Sequence, residues 1–186
     1  MPVSKAVGRT TRDYLKEATA QNHDHLDRVL GKLVTDNEAT YAEFLEIQLR
    51  ARIGIETWLN TIAPEISPPN QTHLIELDLT NMGRSPRNEL LVFDPPAGAD
   101  PLGASWVLAG SSLGNRALLV RLKKVDTNLP TAFLSDPRLV RFWQNLRPSL
   151  ERVHNLPDDT PVLAAAQATF SHFLRAATDS LALEAA

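Results

Sequence analysis

The segment Pro101–Lys124, PLGASWVLAGSSLGNRALLVRLKK, constrains the chain more than any other. Val107, Leu108, Leu113, Ala117, Leu118, Val120 and Leu122 keep an apolar side of one helix. Arg116, Arg121, Lys123 and Lys124 collect towards its end, where basic charge suits the negative pole of the helix dipole. Gly103, Gly110 and Gly114 interrupt it, each costing roughly 1 kcal/mol against alanine inside a helix. Their spacings of seven and four residues put all of them on one stripe of the helix. A stripe without Cβ atoms lets another body come close to the backbone. Two bodies fit: a neighbouring helix crossing tightly, or a flat ligand lying on bare backbone, with the glycines also permitting a local bend. The stripe alone does not choose between them.

The rest of the chain reads as helix nearly throughout, so the expected fold is a compact all-α bundle. Residues 1–9 read as a loose tail and residues 10–186 as one domain, for which the length suffices. Thr10 or Thr11 caps a helix through Leu15, Ala18, Asn22, Leu26, Val29 and Leu33, with Gly31 ending or bending it. A turn at Thr35–Asn37 precedes a helix over Ala39–Ile62, with Phe44, Ile47, Ala51, Ile55, Trp58 and Ile62 on its buried stripe. Pro64, Pro68 and Pro69 stop it, and Thr72–Met82 forms the next helix, ended by Gly83 and Pro86. Residues 84–100 are an irregular connection in which Leu90–Phe93 is strand-like but lacks a partner. A turn at Asn128–Pro130 and a short helical start at Thr131–Leu134 follow the glycine helix. Asp136 then caps Pro137–Leu150, and Thr160 caps a last helix to about Leu183, each with proline at the first helical position.

Composition removes several classes of function. With a net charge of −3 and no basic run, the chain offers nucleic acid or an anionic membrane no surface. The absence of cysteine excludes disulfides, thiolate metal sites and cysteine nucleophiles. No signal-like apolar core opens the sequence and no apolar run approaches the ~18 residues of a membrane span, so a soluble, cytoplasmic protein is expected.

No Walker loop, GxSxG elbow or paired-carboxylate motif is present, which leaves histidine as the available chemistry. His23 and His25 lie in the first helix, whereas His73, His154 and His172 are scattered. Periodicity does not single out His23, which falls about 100° from the centre of the apolar stripe, with His25 nearer to it. Lys16 lies seven residues before His23 on the same stripe, about 10 Å along the axis. A neutral imidazole with a cation two turns away suits an iron porphyrin, one group on the iron and one on a propionate.

The stretch LKEATAQNHDHLD, Leu15–Asp27, resembles the opening helix of heme oxygenases, in which an Ala-Thr pair precedes the proximal histidine by three intervening residues. In that register Ala18 and Thr19 are the pair, His23 is the iron ligand, and His25 falls outside the pattern. LGASWVLAGSSLGNR, Leu102–Arg116, resembles the distal helix of the bacterial branch associated with bacteriophytochromes, with Gly110, Ser111, Leu113 and Gly114 matching its pattern. Thr131–Trp143 and the last helix, with Phe170 and Phe173, are also similar to that branch. Trp106 stands where the family often has tyrosine, Ala109 replaces an acidic residue, and Asn115 replaces the second glycine of a pair. Ser111 takes the place of an aspartate that organises distal water in animal-type members.

The resemblance implies a heme-oxygenase-like bundle with heme between a proximal and a distal helix. His23 would be the only metal ligand, with Lys16, Thr19, Trp106, Gly110, Gly114 and Arg121 around the heme. Gly110, Ser111, Gly114 and Asn115 would form the distal catalytic group. The implied reaction opens heme to biliverdin, CO and ferrous iron with O₂ and electrons from a ferredoxin- or flavin-type reductase, and a bacteriophytochrome would receive the biliverdin. The same residues suit a heme sensor or carrier that leaves its ligand intact. A heme-free member of the fold, with His23 structural, is the third class.

Overall fold

The computed structural model describes residues 8–31, 33, 37–86, 91–125 and 128–184. The Thr10 hydroxyl accepts the Asp13 N–H at 3.1 Å and the Asp13 carboxylate takes the Thr10 N–H at 3.3 Å, a capping box that starts α1, Thr11–Ala18. The continuous first helix expected through Leu33 is two helices. At Thr19 the backbone leaves helical geometry (φ −106°, ψ 5°), and the hydroxyl bonds back to the Leu15 carbonyl at 2.8 Å. Such local bonds compete with the helical ladder. The chain resumes as α2, Ala20–Leu30, which Gly31 ends. The expected tail lies outside the described residues as far as residue 7, and so do residues 35 and 36 of the expected turn.

Asn37 caps α3, Glu38–Ile62, accepting the Thr40 N–H at 3.0 Å. The expected stripe is buried at Phe44, Ile47, Ala51 and Ile55, but Ile62 is exposed. More importantly, α3 is buried on nearly every side: Tyr41, Leu45, Leu49 and Leu59 are covered, and so are the polar Gln48, Arg52 and Glu56. A helix enclosed all round is the centre of its domain. Gly54 explains one of these contacts. A Cβ there would lie 2.4 Å from the Leu91 carbonyl oxygen, so segment 91–93 rests directly on α3. That segment is irregular and not a strand, and Leu90 lies outside the described residues.

A 3₁₀ turn at Pro64–Ile66 leads to α4, Thr72–Asn81, after which Gly83 takes the left-handed φ of 71° that terminates helices. The glycine helix forms as expected, α5, Pro101–Val125. The helical start expected at Thr131–Leu134 is a turn, held by the buried Asp78 carboxylate, which accepts the N–H groups of Ala132 and Phe133 at 2.8 and 2.9 Å. In α6, Arg138–Leu150, Pro137 is the cap and not the first helical residue, and Asp136 accepts the Arg138 N–H at 3.0 Å. The last helix, α7, Leu156–Glu184, begins a turn before the expected cap, and the Thr160 hydroxyl bonds back to the Leu156 carbonyl at 2.7 Å.

The main core gathers α3, α4, α5 and α7 around Phe44, Ile47, Leu108, Leu122, Phe133 and Phe173. A second cluster of Leu15, Ala109, Leu146, Leu150 and Val162 joins α1, α5, α6 and α7. The buried Asp159 carboxylate fastens the start of α1 to α7: it accepts from the Thr11 hydroxyl at 3.1 Å, pairs with His154 Nδ1 at 2.6 Å and binds Arg152. Among the described residues there is no strand, only the isolated pairing of Thr10 with Val153, and no helix is long and apolar enough to cross a membrane.

Candidate heme site

The most extensive helix interface is that of α5 with α7, and α2 also packs along α7, with no comparable interface between α2 and α5 among the described residues. The glycine stripe of α5 reports how that interface ends. At Gly103 a Cβ would sit 2.0 Å from the Val162 carbonyl oxygen and 2.8 Å from the Ala166 nitrogen, so the backbones of α5 and α7 touch there. At Gly110 and Gly114, on the same stripe, a Cβ would meet nothing within 4 Å. The stripe therefore does two things at different points: it meets a crossing helix at Gly103 and faces open space at Gly110 and Gly114. Leu113 and Val120, counted on the apolar side of α5, are 65% and 59% exposed, and Ala117 is exposed between them. They extend the glycines into an uncovered apolar surface.

Two contacts set the level of α7 that this surface faces. Gly103 meets Val162 and Ala166, while Ser111 reaches Phe173 through Arg52, so α5 and α7 run in the same direction. Gly110, about 10 Å further along than Gly103 at ~1.5 Å per residue, lies near the level of Phe170. The His23 ring packs edge-on against that residue, with centroids 6.1 Å apart. His23 is otherwise open, its side chain 61% exposed, and its Nδ1 is 3.2 Å from Asp27 Oδ2 one turn on. A carboxylate on Nδ1 leaves Nε2 as the nitrogen without a protein partner among these contacts, the pattern in which a carboxylate supports a metal-bound imidazole from behind. Asp27 had no part in the sequence reading, although its place four residues after His23 was visible there.

The other expected site residues are distributed around this arrangement. Thr19 is buried at the α1–α2 break, and its carbonyl accepts the His23 N–H at 3.0 Å, so the break sets where α2 and its histidine begin. Lys16 on α1 and Arg121 on α5 are exposed cations, and Arg121 continues the glycine stripe two turns beyond Gly114. Trp106 is half-buried in the cluster with Leu15, Leu146 and Val162. Asn115 is not brought to the stripe. It is buried on the other side of α5, where it lines a cavity of about 140 Å³ with Ser112, Leu134, Asp136 and Val140.

Ser111 is half-buried beside Gly110 and its hydrogen bonds are committed: the hydroxyl donates to the Leu108 carbonyl at 2.7 Å and accepts from Arg52 Nη2 at 3.1 Å. Arg52 is 1% exposed. Its Nε donates to Gln48 Oε1 at 3.2 Å, its Nη1 lies 3.9 Å from Glu56 Oε1, and the rings of Phe133 and Phe173 stand 5.0 and 5.9 Å from the guanidinium carbon. Burial pulls the guanidinium down to about 10, with Glu56 opposing, and burial likewise pushes the Glu56 carboxyl up against the pull of Arg52. The Glu56 carboxylate also accepts the Gln71 N–H at 3.1 Å. Arginine and glutamate four residues apart on a long helix read as a solvated pair, so the sequence carried no signal that this one is enclosed.

The bundle, with its open face on α5 and a histidine on α2, has the all-α heme oxygenase fold. The NO- and CO-bound crystal structures of heme oxygenase from Neisseria meningitidis match it with a TM-score of 0.70 and 20% sequence identity, over 93% of this chain and 92% of that one. At that identity the likeness is one of fold. The sequence matches no protein-family model and no curated protein.

Proposed function

We propose that the protein is a heme oxygenase, cleaving heme to biliverdin, CO and ferrous iron. The observation that carries this reading is the change along one helix stripe, from backbone contact at Gly103 to open space at Gly110 and Gly114, near the level of α7 where His23 stands. Bare backbone on one side and an exposed imidazole on the other suit a flat molecule with a metal at its centre. The donor set is right for heme in particular. A single imidazole from the protein is enough where the porphyrin itself would supply the other nitrogen ligands. Among the described residues no three His, Asp or Glu side chains gather to hold a bare ion.

Each part of the chain then has a task. His23, steadied by Asp27, would hold the iron on the proximal side. Gly110 and Gly114 would present backbone to the distal side and leave room there for O₂ and water. Leu113, Ala117 and Val120 would cover apolar ring edge, while Lys16 and Arg121 are the exposed cations suited to the propionates. Heme, when bound, supplies the iron at which O₂ is reduced and is itself the molecule opened, on electrons from an external ferredoxin- or flavin-type donor. The resemblance of the glycine-helix sequence to the bacteriophytochrome-associated branch supports such a photoreceptor as the proposed recipient of the biliverdin.

The test is hemin titration followed by ascorbate or reduced ferredoxin under air, watched by absorption. A Soret band that forms and then gives way to biliverdin, with iron released to a chelator, is expected. A complex that forms and persists identifies a non-degrading carrier, and no complex at all removes heme from the account.

A further inference from the structure

A buried cation needs a reason, because a well-packed apolar residue is often at least as good for stability. Arg52 stands on α3 in the middle of the core, yet one arm of its fork ends on Ser111, the residue between Gly110 and the rest of the open stripe. The hydroxyl it meets has its one proton engaged and is held in place by a second bond. Its proton goes to the Leu108 carbonyl and a lone pair takes the Arg52 N–H. Ser111 therefore cannot donate to anything lying on α5, and it is held turned away from the bare surface formed by its two neighbouring glycines. Behind that surface sits a positive charge, enclosed by Phe133 from the 131–135 turn and Phe173 from α7. The charged group facing it among these contacts is Glu56 of its own helix, at 3.9 Å; α5 contributes the neutral Ser111.

We infer that Arg52 is a positioning residue of the distal wall, which turns the Ser111 hydroxyl inward and lends a buried positive charge to whatever occupies the open stripe at Gly110 and Gly114. The inference rests on the heme reading. Its chemical consequence is specific: a fixed cation behind the distal side favours negative charge on the species bound there. Gln48 and Glu56 are part of the device, Gln48 orienting the fork through Nε and Glu56 setting how much of the charge is felt.

The experiment compares the parent with Arg52→Lys, Arg52→Met and the charge-neutral pair Arg52→Met/Glu56→Gln, all loaded with hemin. It measures the midpoint of the acid–alkaline transition of the ferric complex, together with the melting temperature without hemin. Arg52→Met should raise the midpoint by about one pH unit, the size of a unit charge acting across roughly 10 Å at an effective dielectric near 20. Arg52→Lys keeps the charge and should stay near the parent, which a purely structural role would not predict. The double variant also loses the opposing Glu56 carboxylate and should raise the midpoint by less, and it keeps the test open should the single methionine leave Glu56 uncompensated and fail to fold. A midpoint unchanged in folded, hemin-loaded methionine variants overturns the inference and leaves the heme reading intact. A parent that takes up no hemin overturns both. Failure of even the double variant to fold makes Arg52 a residue of the core alone, and the inference falls.

Discussion

Replacing the glycines of α5 one at a time separates the two uses of one stripe. In Gly103→Ala the new methyl would lie 2.0 Å from the Val162 oxygen, 2.8 Å from the Ala166 nitrogen and 3.0 Å from the Val162 carbonyl carbon. All three are backbone atoms, so no side chain can swing away and the two helices must part. Overpacking costs about 1–3 kcal/mol where side chains can adjust, and a backbone clash belongs at the upper end or beyond. The gain of about 1 kcal/mol in helix propensity offsets part of it. A net loss of about 2 kcal/mol corresponds to a melting temperature lower by about 4–8 °C for a chain of this size. Gly110→Ala and Gly114→Ala place their methyls in open space and keep the propensity gain. They should melt about 2–4 °C above the parent without hemin. With hemin the order reverses in effect, because the same methyls project into the space assigned to O₂ and water. Calorimetry without hemin and single-turnover absorption with it read the two sides. A Gly103→Ala protein as stable as the parent refutes the close approach of α5 to α7. Gly110→Ala and Gly114→Ala proteins that turn over like the parent refute the distal wall.

Three further outcomes follow from the same geometry. His23→Ala should remove the histidine–iron signal from resonance Raman spectra of the hemin complex while His25→Ala keeps it, and an unchanged spectrum in the first would dismiss His23 as ligand. Asp159→Ala strips an acceptor from Thr11, Arg152, His154 and the Asn155 N–H at once, so it should cost about 3 kcal/mol or more in a urea unfolding series; a loss under about 1 kcal/mol would show the clasp to be dispensable. His172 is buried on α7, where burial and then Arg175 pull its imidazole down to about 4 from an ordinary 6.5. Below pH 6.5 the unfolded chain therefore binds a proton that the folded one refuses. Stability should fall on the order of 3 kcal/mol as pH drops from 6.5 towards 4. His172→Gln should flatten that part of the profile, and equal acid sensitivity in parent and variant would assign the loss elsewhere.

What the sequence determined by itself is what neighbours within about four positions decide. Thr10 and Asn37 start helices because their side chains reach N–H groups three residues on, and Gly83 stops one because it accepts a positive φ. The apolar period of α3 and α5 and the common stripe of the three glycines belong to the same short range. Tertiary structure decided which of those features is covered. The break at Thr19 interrupts a period that runs on without a mark, because the Thr19 hydroxyl finds the Leu15 carbonyl while the backbone turns. Gly103 and Gly110 look alike along the chain, and only the course of α7 makes one a contact and the other an opening. Arg52 reads as a surface charge until Ser111, 59 residues away, and the rings of Phe133 and Phe173 enclose it. Asp159 carried no signal in the sequence, where it falls just before the expected Thr160 cap, and it gains its role only when Thr11, 148 residues earlier, comes to rest on it. Burial is a property of where distant segments meet, and a one-dimensional pattern of polarity carries it only for groups whose own polarity forecasts the side they take. A buried arginine or carboxylate breaks that forecast, and its partners have to be seen in place.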